Sequence, residues 1–505
     1  FDAVGAIPDL ALSGLALDSR NCRTGYAYLA VQGSVAHGLD FAESAVASGA
    51  VAVLVDAADA KADEAVFFRQ DKSAVPLIRV PDLIGNAGVL ASRFYDYPTR
   101  HINVCGVTGT DGKTSVCRFI SESLRYLGVK SGYIGTIGWG IDSELEPNPL
   151  TTPDPVSLQR MFASLRERGA KCVAIEVSSH ALAQGRINGV ALDVAVLTNL
   201  GRDHLDYHGS VKRYREAKEK LFFWPGLRGV VLNVDDEFGQ QLNTKLNGAG
   251  STASPTVVRY ALDNTAASTT DLAAADLVAA DLAADAQGLI FSLRTDESEH
   301  AIRSSLLGTF NVQNMLACFG ALRLLGVSAE EGAQALSALK AVPGRMEHFT
   351  VEGGTNAVVD YAHTPQALEA AIKTLRHHCD GQLTVVFGCG GDRDKGKRKL
   401  MGAVASRLAD RIIVTDDNPR TESSDTIIQQ ILSGVETGSS TRVISDRGEA
   451  ITEALQNAAN DDWVLVAGKG HEDYQIVGDS RLDFSDRVVV ADVLRQMQVT
   501  AGAGA

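Results

Sequence analysis

The sequence predicts an α/β protein of several domains, built on mostly parallel, doubly wound sheets. Three observations predict it. Apolar runs that end in Gly, Asn or Asp clusters recur along the chain and read as buried strands. Segments with helical apolar spacing alternate with them, the pattern of parallel βαβ units. The chain has 505 residues, more than one hydrophobic core fills, so two to four domains are expected.

The first set of elements is short. Ala27–Val31 and Val51–Val55 read as strands and Phe41–Ala50 as a helix, a small α/β domain that ends near Tyr97–Pro98. His101–Val107 reads as a strand that runs into a Gly/Thr-rich loop, and Val116–Leu127 as the helix after it. Cys172–Val177, Val194–Asn199 and Val230–Asn233 follow as strands, each ending in polar residues. Residues 262–288 are rich in Ala and Asp and read as an exposed loop or edge element without function. The pattern breaks near Pro343-Gly344. Ala357–Val359, Leu383–Phe387, Arg411–Thr415 and Trp463–Ala467 then form a third set. The expected domains are 1–98, 99–342 and 343–505. In such sheets ligands sit at the carboxyl ends of the strands.

Composition narrows the function. Apolar residues make up 45% and charged residues 22%, an ordinary globular mix. The net charge of −15 and the absence of a basic stripe argue against nucleic acid as a partner. Anionic ligands must be met by local lysines, arginines and backbone amides. The seven cysteines, at 22, 105, 117, 172, 318, 379 and 389, form no C-x-x-C pair; reduced thiols and a cytoplasmic setting are expected. No apolar run approaches the roughly 20 residues of a membrane helix, and no secretory-signal pattern follows Phe1.

The sharpest motif is Gly106-Val-Thr-Gly-Thr-Asp-Gly-Lys-Thr-Ser115. Glycines let backbone N–H groups curl around phosphate oxygens. Lys113 would reach the terminal phosphates, the Thr114 hydroxyl would bind magnesium, and the helix N-terminus would face the anion. The spacing departs from the usual G-x-x-x-x-G-K-[ST] by one residue, because Val107 stands where its first glycine would be.

The ungapped Gly109–Ser115 loop resembles the ATP loop of the Mur ligases. Further segments resemble the same family: Thr151-Thr-Pro-Asp154, Glu176-Val-Ser-Ser-His180, Thr198-Asn-Leu-Gly-Arg-Asp-His-Leu-Asp-Tyr-His-Gly209, Asp360-Tyr-Ala-His-Thr-Pro365, Asp417-Asn-Pro-Arg420 and Gly468-Lys-Gly-His-Glu472. Together they look like the branch that adds the third amino acid in peptidoglycan synthesis. The resemblance implies a small N-terminal UDP-binding domain, a central P-loop-type parallel-sheet ATPase domain and a C-terminal Rossmann-like domain. It implies a monomer that takes ATP, two Mg2+ ions, UDP-MurNAc-L-Ala-D-Glu and meso-diaminopimelate.

By resemblance, Gly109, Thr110, Asp111, Gly112, Lys113, Thr114, Ser115, Asn311, Asn314, Arg345, Asp360 and His363 bind ATP. Thr114, Glu176, His204 and Lys218 hold metal, with Lys113, Lys218 and His204 catalytic. Lys218 is expected to be carbamylated, which turns an ammonium into an oxygen ligand; Lys220 competes for that role. Alone, Tyr214-Arg-Glu-Ala-Lys218 reads as a solvated helix face. Ser19 (in Asp18-Ser-Arg20), Thr151, Thr152, Ser178, Gln184 and Arg186 match positions for the UDP-muramoyl dipeptide. Arg393, Asp417, Asn418, Arg420, Gly468 and Glu472 match the amino-acid pocket. Lysine and diaminopimelate differ by one far carboxylate. A planar guanidinium can clamp it through two parallel hydrogen bonds, and Arg420 is the residue assigned to do so, with Glu472 receiving the far ammonium. His37 stands where relatives often have Asp. The alternatives are a lysine-adding ligase, folylpolyglutamate synthase, a nucleotide-driven switch ATPase and an inactive homologue.

Overall fold

The structure, a computed structural model, describes residues 9–33, 36–63, 67–68, 73–142, 144–248, 254–263, 275–351 and 355–503. The chain separates into two compact units, Phe1–Tyr260 with Ala317–Ser328, and Ala261–Leu316 with Ala329–Ala505.

The first unit opens with a four-stranded parallel sheet in the order Gly14–Ala16, Tyr26–Ala30, Ala52–Asp56, Leu77–Val80. Strand side chains alternate between faces. Tyr28 and Ala30 pack with helix Ala42–Ala47 on one side, while Ala27 and Leu29 pack with helix Leu83–Phe94 on the other.

The same unit contains a second sheet. Its parallel strands run in the order Ser131–Gly135, Cys172–Glu176, Asn103–Thr108, Val194–Leu197, Gly229–Asn233, Thr256–Leu262. The hairpin Gly138–Ile141/Glu144–Glu146 borders it in antiparallel fashion. The earliest strand, Asn103–Thr108, lies mid-sheet, and the chain continues to both sides of it. That reversal opens a crevice at the strand ends. Ser131–Gly135 escaped the sequence reading because its glycines dilute the apolar run, yet all five residues are buried.

The second unit carries an antiparallel meander, Leu277–Asp285, Gly288–Thr295 and Glu299–Ser304. Of the Ala/Asp-rich stretch, residues 264–274 lie outside the described residues. The rest corrects the reading as an exposed loop or edge element, since Leu277–Asp285 is an interior strand of its sheet with Leu277, Ala279 and Ala280 buried. A sheet follows in the order Glu347–Thr350, Asn356–Asp360, Trp463–Ala467, Leu383–Phe387, Arg411–Val414, Ser440–Val443, parallel except at its first strand. Val358, Val385, Ile412 and Leu465 face helices Pro365–Arg376, Gly396–Leu408 and Ser424–Leu432. Val359, Val386, Ile413 and Val464 face helices Arg447–Gln456 and Asp486–Ala503. Among the described residues no helix is long and apolar enough to cross a membrane.

Helix Leu83–Phe94 approaches the turn at Gly189 backbone to backbone. A Cβ on Gly88 would lie 2.0 Å from the Asn188 carbonyl oxygen, and Asn188 Nδ2 donates to the Gly85 carbonyl at 2.9 Å. Gly88→Ala is therefore expected to cost about 1–3 kcal/mol. Gly248→Ala, where a Cβ meets nothing within 4 Å, should be neutral or slightly stabilising. Thermal melts of the two variants check the contrast; equal melting temperatures would contradict it.

Candidate active site

Strand Asn103–Thr108 delivers the loop Gly109–Gly112 into helix Lys113–Tyr126. A Cβ on Gly109 would stand 1.8 Å from the Thr198 hydroxyl oxygen, and Gly112 caps the helix at φ +81°, so both glycines are required by geometry. The loop is braced from the next strand end. Thr110 N donates to the Asn199 carbonyl, Asp111 N donates to Asn199 Oδ1 at 3.0 Å, and Thr198 Oγ1 donates to the Asp111 carbonyl at 2.5 Å. Lys113 Nζ donates to the Gly109 and Thr110 carbonyls at 3.0 and 2.8 Å. Lys218 Nζ donates to the same Gly109 carbonyl at 2.6 Å.

Lys218 is 1% exposed, although its helix Val211–Glu219 is strongly charged. Its ammonium lies 4.6 Å from the Tyr214 ring centroid. Burial, and then the Lys113 charge, hold its amine well below the usual lysine range. Helix charge pattern could not reveal this, because one inward cation on a polar helix leaves the pattern unchanged.

Glu176, at the end of strand Cys172–Glu176, is fully buried and accepts four hydrogen bonds. Tyr133 OH (2.5 Å) and Thr136 N (2.9 Å) reach Oε1; Thr114 Oγ1 (2.9 Å) and Thr136 Oγ1 (3.1 Å) reach Oε2. Tyr133 was missed from sequence because the strand that carries it, Ser131–Gly135, escaped the reading. Burial and Glu176 push its phenol well above the usual range. A Cβ on Gly135 would lie 2.2 Å from Glu176 Oε1, which keeps that position open. The adjacent hydroxyl and carboxyl oxygens of Thr114 and Glu176 are hard donors of the kind magnesium takes. His204 sits elsewhere on the rim. It is half-exposed at φ +52°, 3.3 Å from Asp203, with its ring 4.6 Å from that of His180. Among the described residues no three His, Cys, Asp or Glu side chains are grouped to hold a metal.

A hydrogen-bonded network extends from Glu176. Thr136 Oγ1 meets Thr151 Oγ1 at 3.1 Å. Thr152 Oγ1 donates to the Glu176 carbonyl at 2.8 Å and accepts from Ser178 N at 3.0 Å. Arg186 donates to the Thr152 carbonyl (2.8 Å) and to Gln184 Oε1 (2.9 Å). The structure thus brings Thr151, Thr152, Ser178, Gln184 and Arg186 together. Ser19 stands apart, beside a cleft lined by Asp18, Asn21, Asp154 and Arg160. His37 caps the turn Gly38–Phe41, its Nδ1 accepting from Leu39 N, while its Nε2 lies 2.7 Å from Asp59.

The second unit carries the remaining expected residues. Asn311 and Asn314 are buried and hydrogen-bonded to each other at 3.1 Å. Arg345 stacks 4.7 Å from the Tyr361 ring. Asp360 accepts from Met346 N and Ala362 N, and burial raises its pKa. His363 is exposed and contacts the Tyr361 carbonyl through Nδ1. Asp417, Asn418, Arg420, Gly468 and Glu472 converge beyond the ends of strands Arg411–Val414 and Trp463–Ala467, which lie on either side of Leu383–Phe387. Asn418 Nδ2 donates to Glu472 Oε2 at 3.0 Å, and a Cβ on Gly468 would lie 2.8 Å from Asp417 Oδ2. Arg420, at φ +53°, donates to the Gly391 carbonyl at 2.7 Å. Arg393 is exposed on the same loop; a Cβ on Gly390 would be 2.9 Å from Arg420 Nη1 and 3.9 Å from Arg393 Cγ. Lys469 was overlooked inside its motif. It is fully buried and donates to Asn418 Oδ1 (3.2 Å) and Glu472 Oε2 (3.1 Å).

Family models cover this same frame. Residues 107–322 match the Mur ligase middle domain, 344–470 the Mur ligase glutamate ligase domain, and 11–95 the catalytic domain of the Mur ligase family.

The chain belongs to the Mur ligase family.

Its three α/β sets are the N-terminal, central ATP-binding and C-terminal Rossmann-like domains of a Mur ligase. The chain is 46% identical to the UDP-N-acetylmuramoyl-L-alanyl-D-glutamate--2,6-diaminopimelate ligase of Alkalilimnicola ehrlichii, over 96% of this chain and 95% of that one. It is 45% identical to the ligase of the same name from Pseudomonas aeruginosa, over 95% and 94%. A solved structure bearing that name superposes with a TM-score of 0.71 at 35% identity, over 96% and 95% of the two chains. The folylpolyglutamate synthase of Mycobacterium tuberculosis shares the fold, with a TM-score of 0.59 at 17% identity over 81% and 94%.

In this Mur ligase, His471 gives a signed pH dependence. Burial, then the Arg345 and Arg487 charges, lower its pKa to about 4 from 6.5. Between those values the unfolded chain binds a proton that the folded chain does not. Stability is therefore lost as pH falls from about 6.5 toward 4, by at most about 3 kcal/mol. Denaturant melts of wild type and His471→Gln at pH 7 and 5 check this. The variant should lose less on acidification, and parallel losses would contradict the assignment.

Proposed function

We infer that the chain is the ATP-dependent ligase that joins the amino group of meso-diaminopimelate to the D-glutamate γ-carboxylate of UDP-MurNAc-L-Ala-D-Glu, releasing ADP and phosphate. The observation that carries the reading is identity of 46% across 96% of the chain to a protein named for that reaction. The domain limits 1–98, 99–342 and 343–505, a monomer and a cytoplasmic setting belong to the same reading.

The γ-carboxylate attacks the γ-phosphorus of ATP and ADP leaves, giving an acyl phosphate. The diaminopimelate nitrogen then attacks the acyl carbon. The tetrahedral intermediate expels phosphate, loses its proton and becomes the amide. Catalysis of the first step rests on positioning and charge stabilisation. Gly109–Ser115 supply the phosphate-facing amides, and Lys113, resting on its own loop carbonyls, is the cation that meets the transferred oxygens. Thr114 and Glu176 are the donors that would hold Mg2+, with His204 and a carbamylated Lys218 completing two ion sites; bound there, the ions would neutralise phosphoryl charge. The depressed pKa of Lys218 supports the modification, since carbon dioxide adds to the neutral amine. Asn311, Asn314, Arg345, Asp360 and His363 contribute further ATP contacts. Ser19, Thr151, Thr152, Ser178, Gln184 and Arg186 bind the muramoyl dipeptide. Arg420 clamps the far carboxylate of diaminopimelate, Arg393, Asp417, Asn418 and Gly468 line its pocket, and Glu472 takes the far ammonium.

The test is phosphate release with ATP and the UDP-muramoyl dipeptide, comparing meso-diaminopimelate with L-lysine. Wild type should require diaminopimelate. Arg420→Ala should lose at least 100-fold in kcat/KM for it, about 3 kcal/mol, the scale of a charge-assisted bidentate contact. Preference for lysine would sink the role of Arg420. Amino-acid-independent release would sink the ligase reading in favour of a switch ATPase.

A further inference from the structure

Beneath the amino-acid pocket lies an ion pair that none of the motifs contains. Arg447 and Asp486 are both fully buried, 39 residues apart, and each opens a helix, Arg447–Gln456 and Asp486–Ala503. The pairing is bidentate: Arg447 Nε donates to Asp486 Oδ1 at 2.7 Å and Nη2 to Oδ2 at 2.8 Å. Two further donors of the guanidinium go to backbone carbonyls. Nη1 donates to the Asp416 carbonyl at 3.2 Å and Nη2 to the Ala467 carbonyl at 2.9 Å. Those carbonyls immediately precede Asp417 and Gly468, the first residues of the two pocket motifs. A Cβ on Gly468 would lie 3.9 Å from Arg447 Nη2 and 2.8 Å from Asp417 Oδ2, so the guanidinium reaches the pocket floor itself.

Helix stability does not explain this placement. A cation at a helix N-terminus faces the positive end of the helix dipole, whereas Asp486 at its own helix N-terminus is favoured there. Nor does a buried pair outdo apolar packing of the same volume as a source of stability. What a planar, five-donor guanidinium supplies and an apolar pair cannot is a fixed distance between two chain segments. Strands Arg411–Val414 and Trp463–Ala467 are not neighbours in the sheet; Leu383–Phe387 runs between them. Backbone bonds join the two segments only farther out, where Arg420 N donates to the Ile476 carbonyl at 3.0 Å and Gly478 N to the Arg420 carbonyl at 2.8 Å; at the exits themselves, Asp416 and Ala467, the link is Arg447.

We propose that Arg447, held by Asp486, is a positioning residue that fixes Asp417–Arg420 and Gly468–Glu472 at the spacing the amino-acid substrate requires. The proposal rests on the amino-acid pocket assigned under the function above. It concerns recognition of the amino acid and not of the nucleotide, because both tethered carbonyls lead into that pocket.

The test uses the full chain with Arg447→Met and Asp486→Leu combined, which removes both charges and leaves none unpaired. Arg447→Lys, which keeps the charge but cannot span both carbonyls, is run beside it and carries the same readouts if the double variant does not melt cooperatively. The expected result is a KM for diaminopimelate raised at least tenfold, with the KM for ATP within threefold of wild type. Backbone amide exchange should quicken within residues 416–420 and 467–472. An unchanged KM for diaminopimelate, an equal rise in both KM values, or unchanged exchange in the two segments would overturn the proposal. Absence of diaminopimelate-dependent turnover in wild type would instead overturn the assigned function. The exchange arm needs no substrate and still decides whether Arg447 spaces the two segments.

Discussion

The first unit is organised around a side chain that has no access to water. Glu176 is fully buried, and a buried carboxyl group without partners is too costly to keep. Its four donors come from helix Lys113–Tyr126, strand Ser131–Gly135 and the turn beyond it. Satisfying Glu176 therefore fixes the start of the phosphate-loop helix against two strand ends. The Glu176 main chain extends the constraint, since its carbonyl accepts from Thr152, which in turn receives Ser178 N. The loop Gly109–Ser115 and the network through Thr151, Thr152 and Ser178 are two branches of one set of hydrogen bonds.

The second unit solves a comparable problem with ion pairs. Lys469 with Glu472, Arg398 with Glu422 and Arg447 with Asp486 place buried cations against carboxylates behind the pocket loops. Arg398 also donates to the Gly390 carbonyl at 3.0 Å, which ties the loop bearing Arg393 to the segment after Arg420. Breaking one partner of such a pair strands a buried charge. The loops that carry Asp417–Arg420 and Gly468–Glu472 are thus held by groups that cannot change singly, while Arg393 remains exposed.

Much of this was legible in the sequence. Leu383–Phe387 and Trp463–Ala467 are strands with the expected limits, because a parallel strand covered on both faces is a continuous apolar run. The loop Gly109–Gly112 was legible because its glycines answer to sterics. Three kinds of feature were not. Strand Ser131–Gly135 is built from small residues whose burial comes from neighbours. Helix Val211–Glu219 turns one of its charges inward at Lys218, and the Tyr133 hydroxyl is turned to the buried Glu176 carboxylate. Arg447 and Asp486 meet only because two helix starts converge, and local pattern carries no trace of that. Within the motifs, the pairing of Glu472 with Lys469 shows that the carboxylate expected to receive the substrate ammonium already has a cation beside it.

The assigned reaction spends ATP on activating a carboxylate. The measurement that addresses it most directly is oxygen transfer. UDP-muramoyl dipeptide carrying 18O in the D-glutamate γ-carboxylate is turned over with ATP and diaminopimelate, and the released phosphate is examined by mass spectrometry. Passage through an acyl phosphate moves one carboxylate oxygen into each phosphate, so singly labelled phosphate in step with amide formation is expected. Unlabelled phosphate would mean that water took the phosphoryl group, and would contradict the account.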